Sequence, residues 1–379
     1  MQSANMQEGK TKRSSSNFWW QAAGIIGELL IAFAVICALY IAWQMWWTGE
    51  QAEHTQVEAR QAISWQNPKT GDKTKIALPQ NTDPPALSKP KSEDLVARLY
   101  IPRFGNQWER NVVEGITPDI LSKRGLGHYP TTQMPGAIGN FAVAGHRNGY
   151  GQPLGDVDLL KPGDAIVVRT KDYWFVYKYT SYKIVTPDHG EVIDANPDHP
   201  GEKPTKRMLT LTTCEPKYTA ATHRWISYAK FAYWAKISDG IPKELSTIDE
   251  QGKVKFINNE QQSLVSRLSS LVPVMVVVLL VYMMIFVAGA IAWQWPELRA
   301  IHSGLKKKPD ASIFGGLLRI QPGITAIRWI LSILIYFFIV LALFQWIFPW
   351  GASTIPFLQQ MSNYSTTVLS LIHISEPTR

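Results

Sequence analysis

Three stretches of the chain are apolar and free of charge, and polar sequence separates them. They cover residues 29–47, 271–293 and 329–347. Each is long enough to cross a hydrocarbon core of about 30 Å as a helix. Tryptophans flank both ends of the first stretch, as in the aromatic belts at the two membrane interfaces. The pattern therefore predicts three transmembrane helices.

Two alternatives accompany this interpretation. Residues 29–47 can be a cleaved signal peptide, but no A-x-A-like site follows them directly and they are long for the apolar region of such a peptide. Residues 271–293 and 329–347 can form a buried helical hairpin, which their length and lack of charge disfavour. An uncleaved anchor with two further spans is favoured.

The basic residues near these stretches predict the orientation of the chain. Lys10, Lys12 and Arg13 precede the first stretch, whereas acidic residues follow it, and residues 294–328 carry an excess of Lys and Arg. Cytoplasmic loops are enriched in these cations. We therefore expect a cytoplasmic N-terminus, an extracytoplasmic middle and an extracytoplasmic C-terminal tail.

The polar middle of the chain changes character near residue 94. Residues 48–93 are rich in Gln, Lys, Thr, Pro and Asp, which is typical of a linker or stalk, and a short helix is expected near residues 50–64. After them come short apolar or alternating runs such as LVARLYI and RMLTLTTC, separated by Gly, Pro, Asp and Asn. Many short strands with turn signals favour a barrel or a sandwich. This part is predicted to be one compact all-β domain.

These patterns together predict the organisation of a multi-pass protein of the cell membrane. The predicted segments are a cytoplasmic N-terminus (1–17), a first transmembrane helix (18–47), an extracytoplasmic linker or stalk (48–93), the β domain (94–240), a second linker (241–270), a second transmembrane helix (271–293), a basic cytoplasmic loop (294–328), a third transmembrane helix (329–348) and an extracytoplasmic tail (349–379).

Charge and cysteine content narrow the possible functions. The net charge is +8, which can indicate nucleic acid or an anionic membrane surface as a partner. Because part of this charge follows the predicted topology, nucleic acid is not an expected partner. The chain has only two cysteines, which excludes a disulfide-rich scaffold and a multi-cysteine metal site.

Cys214 is the candidate nucleophile. A disulfide with Cys37 is not expected, because Cys37 lies in the first apolar stretch. In a strand, period-two alternation places Thr210, Thr212 and Cys214 on one face and the intervening leucines on the other. The thiol then lies at a strand end beside a loop, accessible and on a rigid element, as a nucleophile requires. An inert buried thiol is the alternative.

A thiol nucleophile needs a proton partner and a group that stabilises an oxyanion. His146 follows a predicted strand that ends on Gly145, and Arg224 opens the strand after Cys214. A cation there can lower the pKa of the thiol and bind a carbonyl oxygen. The alternatives are an ordinary exposed histidine and a surface arginine. The histidines beside turn residues are expected to be solvated: His128, His189 and His199.

These residues resemble the signature of the sortases, membrane-anchored cysteine transpeptidases of Gram-positive bacteria. The TLxTC motif matches residues 210–214, His146 matches the catalytic histidine in FAVAGHR, and Arg224 matches the downstream arginine. The segments ARLYIPRFG, GLGHYP, MPGAIGNFAVAGHRNGYG and LTLTTCEP resemble the class E sortases of actinobacteria in order and spacing. The resemblance covers residues 94–236.

The resemblance implies an eight-stranded sortase β-barrel and a reaction. Cys214 would attack the Thr carbonyl of an LPxTG-like or LAxTG-like C-terminal sorting signal on a surface protein, giving a thioester that an amine of a peptidoglycan precursor or a pilin lysine resolves. His146 would transfer the protons, and Arg224 would steady the oxyanion. Thr213 and Thr212 are expected to support the oxyanion or the substrate. The resemblance implies no cofactor and no metal.

Three features depart from the class E pattern. The loop between Cys214 and Arg224, residues 215–223, is slightly longer than usual, which bears on the placement of Arg224. Glu215 follows Cys214 where class E members often carry His or another polar residue, and an inward carboxylate would oppose thiolate formation. The two C-terminal spans exceed what a minimal class E enzyme needs, and a C-terminal helix is a feature of pilus-building sortases. The alternatives are therefore a pilin-polymerising sortase and a non-enzymatic membrane scaffold that binds sorting peptides.

Overall fold

The computed structural model describes residues 5–66, 68, 74–258, 265 and 267–361. The chain divides into two compact units. One comprises Met1–Trp43 and Ser270–Trp350, and the other comprises Gln44–Ser269 and Gly351–Arg379. Most of the predicted tail, from residue 362 onward, lies outside the described residues.

The helices flank the strand-rich middle of the chain. Three helical stretches are long and apolar enough to cross a membrane: Phe18–Gln61, Val272–Ala292 and Thr325–Thr354. The prediction of three helices of spanning length is thereby confirmed. The helices are α1 (Asn5–Ala42), α2 (Thr48–Gln61), α3 (Val272–Ala292), α4 (Pro296–His302), α5 (Ile313–Arg319), α6 (Thr325–Ala342), α7 (Phe348–Thr354) and α8 (Pro356–Met361).

Within the first unit, α3 and α6 pack against each other, and polar contacts secure the ends of this pair. The backbone N–H of Leu271 donates to Oε1 of Gln345 at 2.8 Å. Arg328 forms an ion pair with Glu297, and its Nε donates to the backbone oxygen of Leu318 at 3.0 Å. Glu297 lies on α4 and Leu318 on α5, so the Arg328 contacts join α6 to these two short helices. The bond between Leu271 and Gln345 joins the start of α3 to the turn that follows α6.

Eight strands of the second unit close into a barrel in the order β1-β2-β3-β4-β7-β8-β6-β5, with β5 pairing back to β1. The predicted eight-stranded barrel is confirmed. Neighbouring strands are antiparallel except for β2–β3 and β4–β7, which are parallel. The strands are β1 (Leu95–Tyr100), β2 (Glu109–Glu114), β3 (Leu126–His128), β4 (Gly139–Ala144), β5 (Ala165–Arg169), β6 (Tyr173–Val185), β7 (Arg207–Glu215) and β8 (His223–Lys236).

Period-two alternation along β7 separates two buried layers. Leu209 and Leu211 belong to one hydrophobic cluster, together with residues such as Phe141. Met208 and Cys214 belong to a second cluster. The leucine side chains thus anchor β7 in one core, while the opposite face of the strand carries the thiol.

Two described parts of the predicted linker or stalk (48–93) pack on the barrel: helix α2 and the segment that begins at residue 74. Oε1 of Gln56 on α2 accepts the backbone N–H of Asn111 at 3.0 Å, and Nδ2 of Asn111 donates to the backbone oxygen of Gln56 at 2.9 Å. Further along, the backbone N–H of Ala77 donates to the oxygen of Ile241 at 2.7 Å. Composition missed this docking because backbone and amide hydrogen bonds, rather than apolar runs, hold the segment.

Residues 241–258 also form ordered structure where a linker was predicted. A short hairpin joins β9 (Ser246–Ile248) to β10 (Val254–Phe256). Phe256 packs against Tyr100 and Trp174, with ring centroids 6.0 and 6.4 Å away. Single aromatic and aliphatic side chains, rather than a continuous apolar run, anchor this piece to the barrel.

Candidate active site

Three neighbouring strands bring the predicted site residues together. Cys214 on β7 lies directly opposite Arg224 on β8 in the antiparallel register. On the other side of β7, the backbone N–H of Gly145 donates to the oxygen of Thr212 at 3.1 Å, which continues the parallel pairing of β4 and β7. His146 follows Gly145 directly, so the parallel register, continued past the end of β4, places it level with Cys214, one residue before the end of β7.

The catalytic candidates are buried. The exposed fraction is 2% for Cys214, 0% for His146 and 1% for Arg224. The sequence-based expectation of an accessible thiol is therefore wrong for this structure. Cys214 belongs to a hydrophobic cluster with Tyr129 and Ile193. Tyr129 follows the end of β3 and Ile193 lies in the short helical turn Gly190–Ile193, so the strand pattern could not position either residue.

Burial also sets the protonation of the two reacting groups. It raises the pKa of the Cys214 thiol, while the charges of Arg224 and Arg147 act in the opposite direction. It lowers the pKa of His146 to about 4. An apolar environment disfavours the charged form of each group. At neutral pH the thiol and the imidazole therefore rest as neutral groups.

The Arg224 guanidinium has nitrogen donors that are not hydrogen-bonded to the described residues. Nη1 donates to the backbone oxygen of His223 at 2.5 Å. Nε and Nη2 are buried and have no hydrogen-bond partner among the residues that the structure describes. Leaving a buried donor unpaired costs about 1–3 kcal/mol. A carbonyl oxygen or an oxyanion brought to this site would satisfy these donors.

One ring nitrogen of His146 lies near a hydroxyl group, and the other has no hydrogen-bond partner among the described residues. Its Nε2 lies 3.4 Å from the hydroxyl of Ser122, in the helical turn Ile120–Arg124. Its ring lies 5.0 Å from the ring of Tyr150. Nδ1 is buried and has no hydrogen-bond partner in the described part of the chain. One ring nitrogen thus remains available for proton transfer.

The loop that follows His146 is attached to α2. The hydroxyl of Thr48 accepts the backbone N–H of Tyr150 at 2.9 Å. A Cβ added to Gly49 would lie 3.0 Å from the Cα of Gly151, so the helix and the loop approach each other closely. A polar segment outside the predicted β domain therefore supports the residue that is predicted to transfer protons.

Thr212 and Thr213 use their hydroxyls within the fold. The hydroxyls of Thr212 and Tyr129 lie 2.8 Å apart, and the hydroxyl of Thr213 donates to the backbone oxygen of Gly145 at 2.7 Å. The second contact joins β7 to the end of β4. The expectation that these two residues support the oxyanion stays a prediction.

His128, expected to be solvated, is buried, and that expectation is wrong. Its Nδ1 lies 2.5 Å from Oε2 of Glu114, and its ring stacks on Phe141 at 5.0 Å. The adjacent Tyr-Pro was interpreted as an exposed turn, but residue 128 still belongs to β3 and has a carboxylate partner on β2. His189 and His199 are exposed, as expected.

Sequence reasoning did not single out Tyr129, Ser122 or Arg147 as members of the site. Tyr129 lies in the GLGHYP segment, and Arg147 directly follows His146, so motif adjacency was the available signal. Ser122 offered none. Arg147 is 5% exposed and forms an ion pair with Glu215, so the carboxylate beside the nucleophile has a partner.

Comparison with known proteins finds a matching family over the barrel and several sequence relatives. Residues 99–232 match the family described as "Sortase domain". The chain is 36% identical to Sortase SrtE1 of Streptomyces coelicolor, over 59% of this chain and 61% of that protein. It is 28% identical to Sortase SrtE2 of the same organism, over 62% of this chain and 93% of that protein. It is 31% identical to Sortase A of Bacillus anthracis, over 44% of this chain and 76% of that protein. The chain thus spans 61% of the length of the first of these relatives.

Proposed function

The chain belongs to the sortase family and has class E relatives, and we propose that it is a cysteine transpeptidase. In this proposal it cleaves the sorting signal of a protein and joins the protein to an amine. One observation carries the proposal. Cys214 lies opposite Arg224, whose buried Nε and Nη2 have no partner in the described chain, and the strand end that carries His146 lies on the other side of β7. Nucleophile, proton carrier and oxyanion donor thus meet at adjacent strand ends.

The first half of the reaction breaks a peptide bond. In this proposal the Cys214 thiol transfers its proton to His146 and attacks the carbonyl carbon of the Thr in an LPxTG-like or LAxTG-like signal. Nε and Nη2 of Arg224 donate to the oxygen as negative charge develops on it. The imidazolium then protonates the departing Gly amine, leaving a thioester on Cys214.

The second half reverses these roles. An incoming amine from a peptidoglycan precursor loses its proton to neutral His146 and attacks the thioester carbonyl. The new amide forms as the Cys214 thiolate departs and regains the proton. Because burial keeps both groups neutral at rest, the thiolate exists mainly while substrate occupies the site.

A pilin lysine is the alternative amine, which would make the protein a pilin polymerase. The C-terminal helices α3 and α6 favour this alternative, because a C-terminal helix accompanies pilus-building sortases. A scaffold that only binds sorting peptides is the non-enzymatic alternative. It would bind the peptide without forming a thioester.

The proposed location is the cell membrane, with the barrel outside and the N-terminus in the cytoplasm. The proposal is supported by the three helices of spanning length and by the excess of Lys and Arg in residues 294–328. A topology reporter fused at residue 300 should report the cytoplasm. An extracytoplasmic signal there would overturn this orientation.

The activity is tested with the full-length protein in detergent micelles and fluorogenic LPxTG and LAxTG peptides. We expect cleavage between Thr and Gly, and transfer of the peptide to an added amine. Cys214→Ala should lose cleavage entirely. Full activity in this variant would refute the assignment of the nucleophile.

A further inference from the structure

Arg147 contacts all three strand ends of the proposed site. It directly follows His146 at the end of β4. Its guanidinium forms an ion pair with Glu215, and its Nη1 lies 3.5 Å from the backbone oxygen of Cys214. Its Cζ lies 4.8 Å from the ring centroid of Trp225, the neighbour of Arg224 on β8. One buried side chain thus joins the segments that carry nucleophile, base and oxyanion donor.

The position of Glu215 makes this contact chemically significant. A carboxylate next to a thiol disfavours the thiolate unless a cation compensates it. The charges that lower the pKa of Cys214 against the effect of burial are those of Arg224 and Arg147. Asp158, in the turn Val157–Leu159, lies 3.3 Å from Nη2 of Arg147 and holds the far side of the guanidinium.

The contacts of the Arg147 guanidinium support the same role for this residue as its charge does. A guanidinium presents donors in a rigid planar fork, so one arginine can bind a carboxylate, a backbone carbonyl and an aromatic face together. The exposed fraction of Arg147 is 5%, so solvent screens these contacts little. The contacts with Cys214 and Glu215 leave β7 little freedom to move away from the loop that carries His146.

We propose that Arg147 is a positioning residue of the transpeptidase site: through its ion pair with Glu215 it fixes the Cys214 strand end beside His146 and neutralises the carboxylate next to the nucleophile. The inference rests on the proposed function and deepens it. Glu215 and Arg147 then act as a pair, which explains how this chain carries an acidic residue directly after its nucleophile.

The test is a double-mutant cycle with Arg147→Met, Glu215→Gln and the variant carrying both changes. The readout is the rate at which iodoacetamide alkylates Cys214, measured at pH 7 and as a function of pH. The rate is monitored through the mass of the proteolytic peptide that contains residue 214. In Arg147→Met the unpaired carboxylate should lower the rate at pH 7 about tenfold. In Glu215→Gln the rate should rise, and the double variant should return to within about threefold of wild type.

Arg103→Met is the matched control, because it breaks an exposed arginine–carboxylate pair with Asp164. It should leave the alkylation of Cys214 unchanged. The inference is overturned if Arg147→Met changes the rate no more than this control does, or if the double variant keeps the full loss of the single one.

Arg147→Lys separates charge from geometry and keeps the test open if the Met variant does not fold. The lysine should retain an alkylation rate near wild type but lower kcat for peptide cleavage about tenfold, with KM little changed, because the planar fork is lost. Unchanged kcat in this variant would contradict the positioning role. If the wild-type protein cleaves no sorting peptide, the proposed function fails, whereas the alkylation cycle still decides the role of Arg147.

Discussion

Two clusters of buried charge lie in the unit that contains the barrel, and they differ in how completely they are paired. Around Glu109, Oε1 accepts the hydroxyl of Tyr100 at 2.9 Å, Oε2 accepts Nδ2 of Asn258 at 2.9 Å, and Arg98 lies 3.5 Å away. Around Cys214, Nε and Nη2 of Arg224 are buried without a hydrogen-bond partner among the described residues.

The difference shows how to distinguish a structural cluster from a catalytic one when both are buried. A buried ion stabilises a fold only if its hydrogen bonds are satisfied, as they are at Glu109. Unpaired donors such as those of Arg224 cost free energy in the free protein. In the proposed mechanism they gain a partner when a substrate carbonyl arrives. Burial alone does not separate the two clusters, because Arg98 and Arg224 are both buried.

Removing the centre of the paired cluster should produce the largest effect, on stability. Glu109→Ala leaves the Arg98 guanidinium and the amide of Asn258 without their carboxylate, and breaking a buried pair costs about 3–5 kcal/mol. We expect a clearly lower Tm by tryptophan fluorescence, with kcat of the remaining folded enzyme near wild type. Glu109→Gln is the matched control and should cost less. A selective loss of kcat at unchanged Tm would reverse the comparison.

Removing the cation of the unpaired cluster should affect activity instead. Arg224→Ala should lower kcat/KM for sorting-peptide cleavage by about 10²–10³-fold, the usual effect of losing one oxyanion donor. Tm should stay equal or rise, because a buried cation with unpaired donors is removed. Parallel measurements of kcat/KM and Tm check this expectation. A large fall in Tm with nearly normal activity would show that Arg224 stabilises the fold and does not act in the reaction.

The pH profile tests the neutral resting state of the reacting pair. The pKa of His146 is lowered to about 4 and that of Cys214 is raised. At any pH between these two pKa values the imidazole is neutral and the thiol keeps its proton. kcat/KM should therefore vary less than about threefold from pH 6 to 8, with its acid limb near the lowered histidine value and its alkaline limb above about 8.5. An acid limb near the ordinary histidine pKa of about 6.5 would show that His146 is solvated.

The smallest effect is expected where α2 meets the loop after His146. Thr48→Val removes the acceptor for the Tyr150 N–H and should cost about 0.5–1.5 kcal/mol of stability, with a few-fold lower kcat/KM. Thr55→Val is the matched control on the same helix, because the Thr55 hydroxyl bonds locally to the oxygen of Gln51. Equal activity in the two variants would separate α2 from the active site.

The parts predicted well from sequence depend on local periodicity. Alternation along β7 placed Thr212 and Cys214 on one face, and uninterrupted apolar stretches predicted the three long helices. The barrel itself came from the family resemblance of residues 94–236. The alternation of side chains along a strand and the length of an apolar stretch are properties of one local segment. A single sequence is therefore enough to predict them.

The parts that could not be predicted depend on residues far apart in the chain. The bond between Thr48 and Tyr150 joins positions 102 residues apart, and the contact between Arg147 and Cys214 joins positions 67 residues apart. Buried His128 is paired with Glu114, on a neighbouring strand. Such pairings follow from barrel closure and helix docking, which leave no periodic trace in the sequence.

The central claim, that Cys214 forms a thioester with a cleaved sorting signal, is tested most directly by intact mass spectrometry. The full-length protein is mixed with an LPxTG or LAxTG peptide and quenched in acid. We expect a mass increase equal to the peptide up to and including Thr, located on residue 214, discharged by an added amine and absent in Cys214→Ala. Cleavage without this adduct, or the same adduct in Cys214→Ala, would contradict the account.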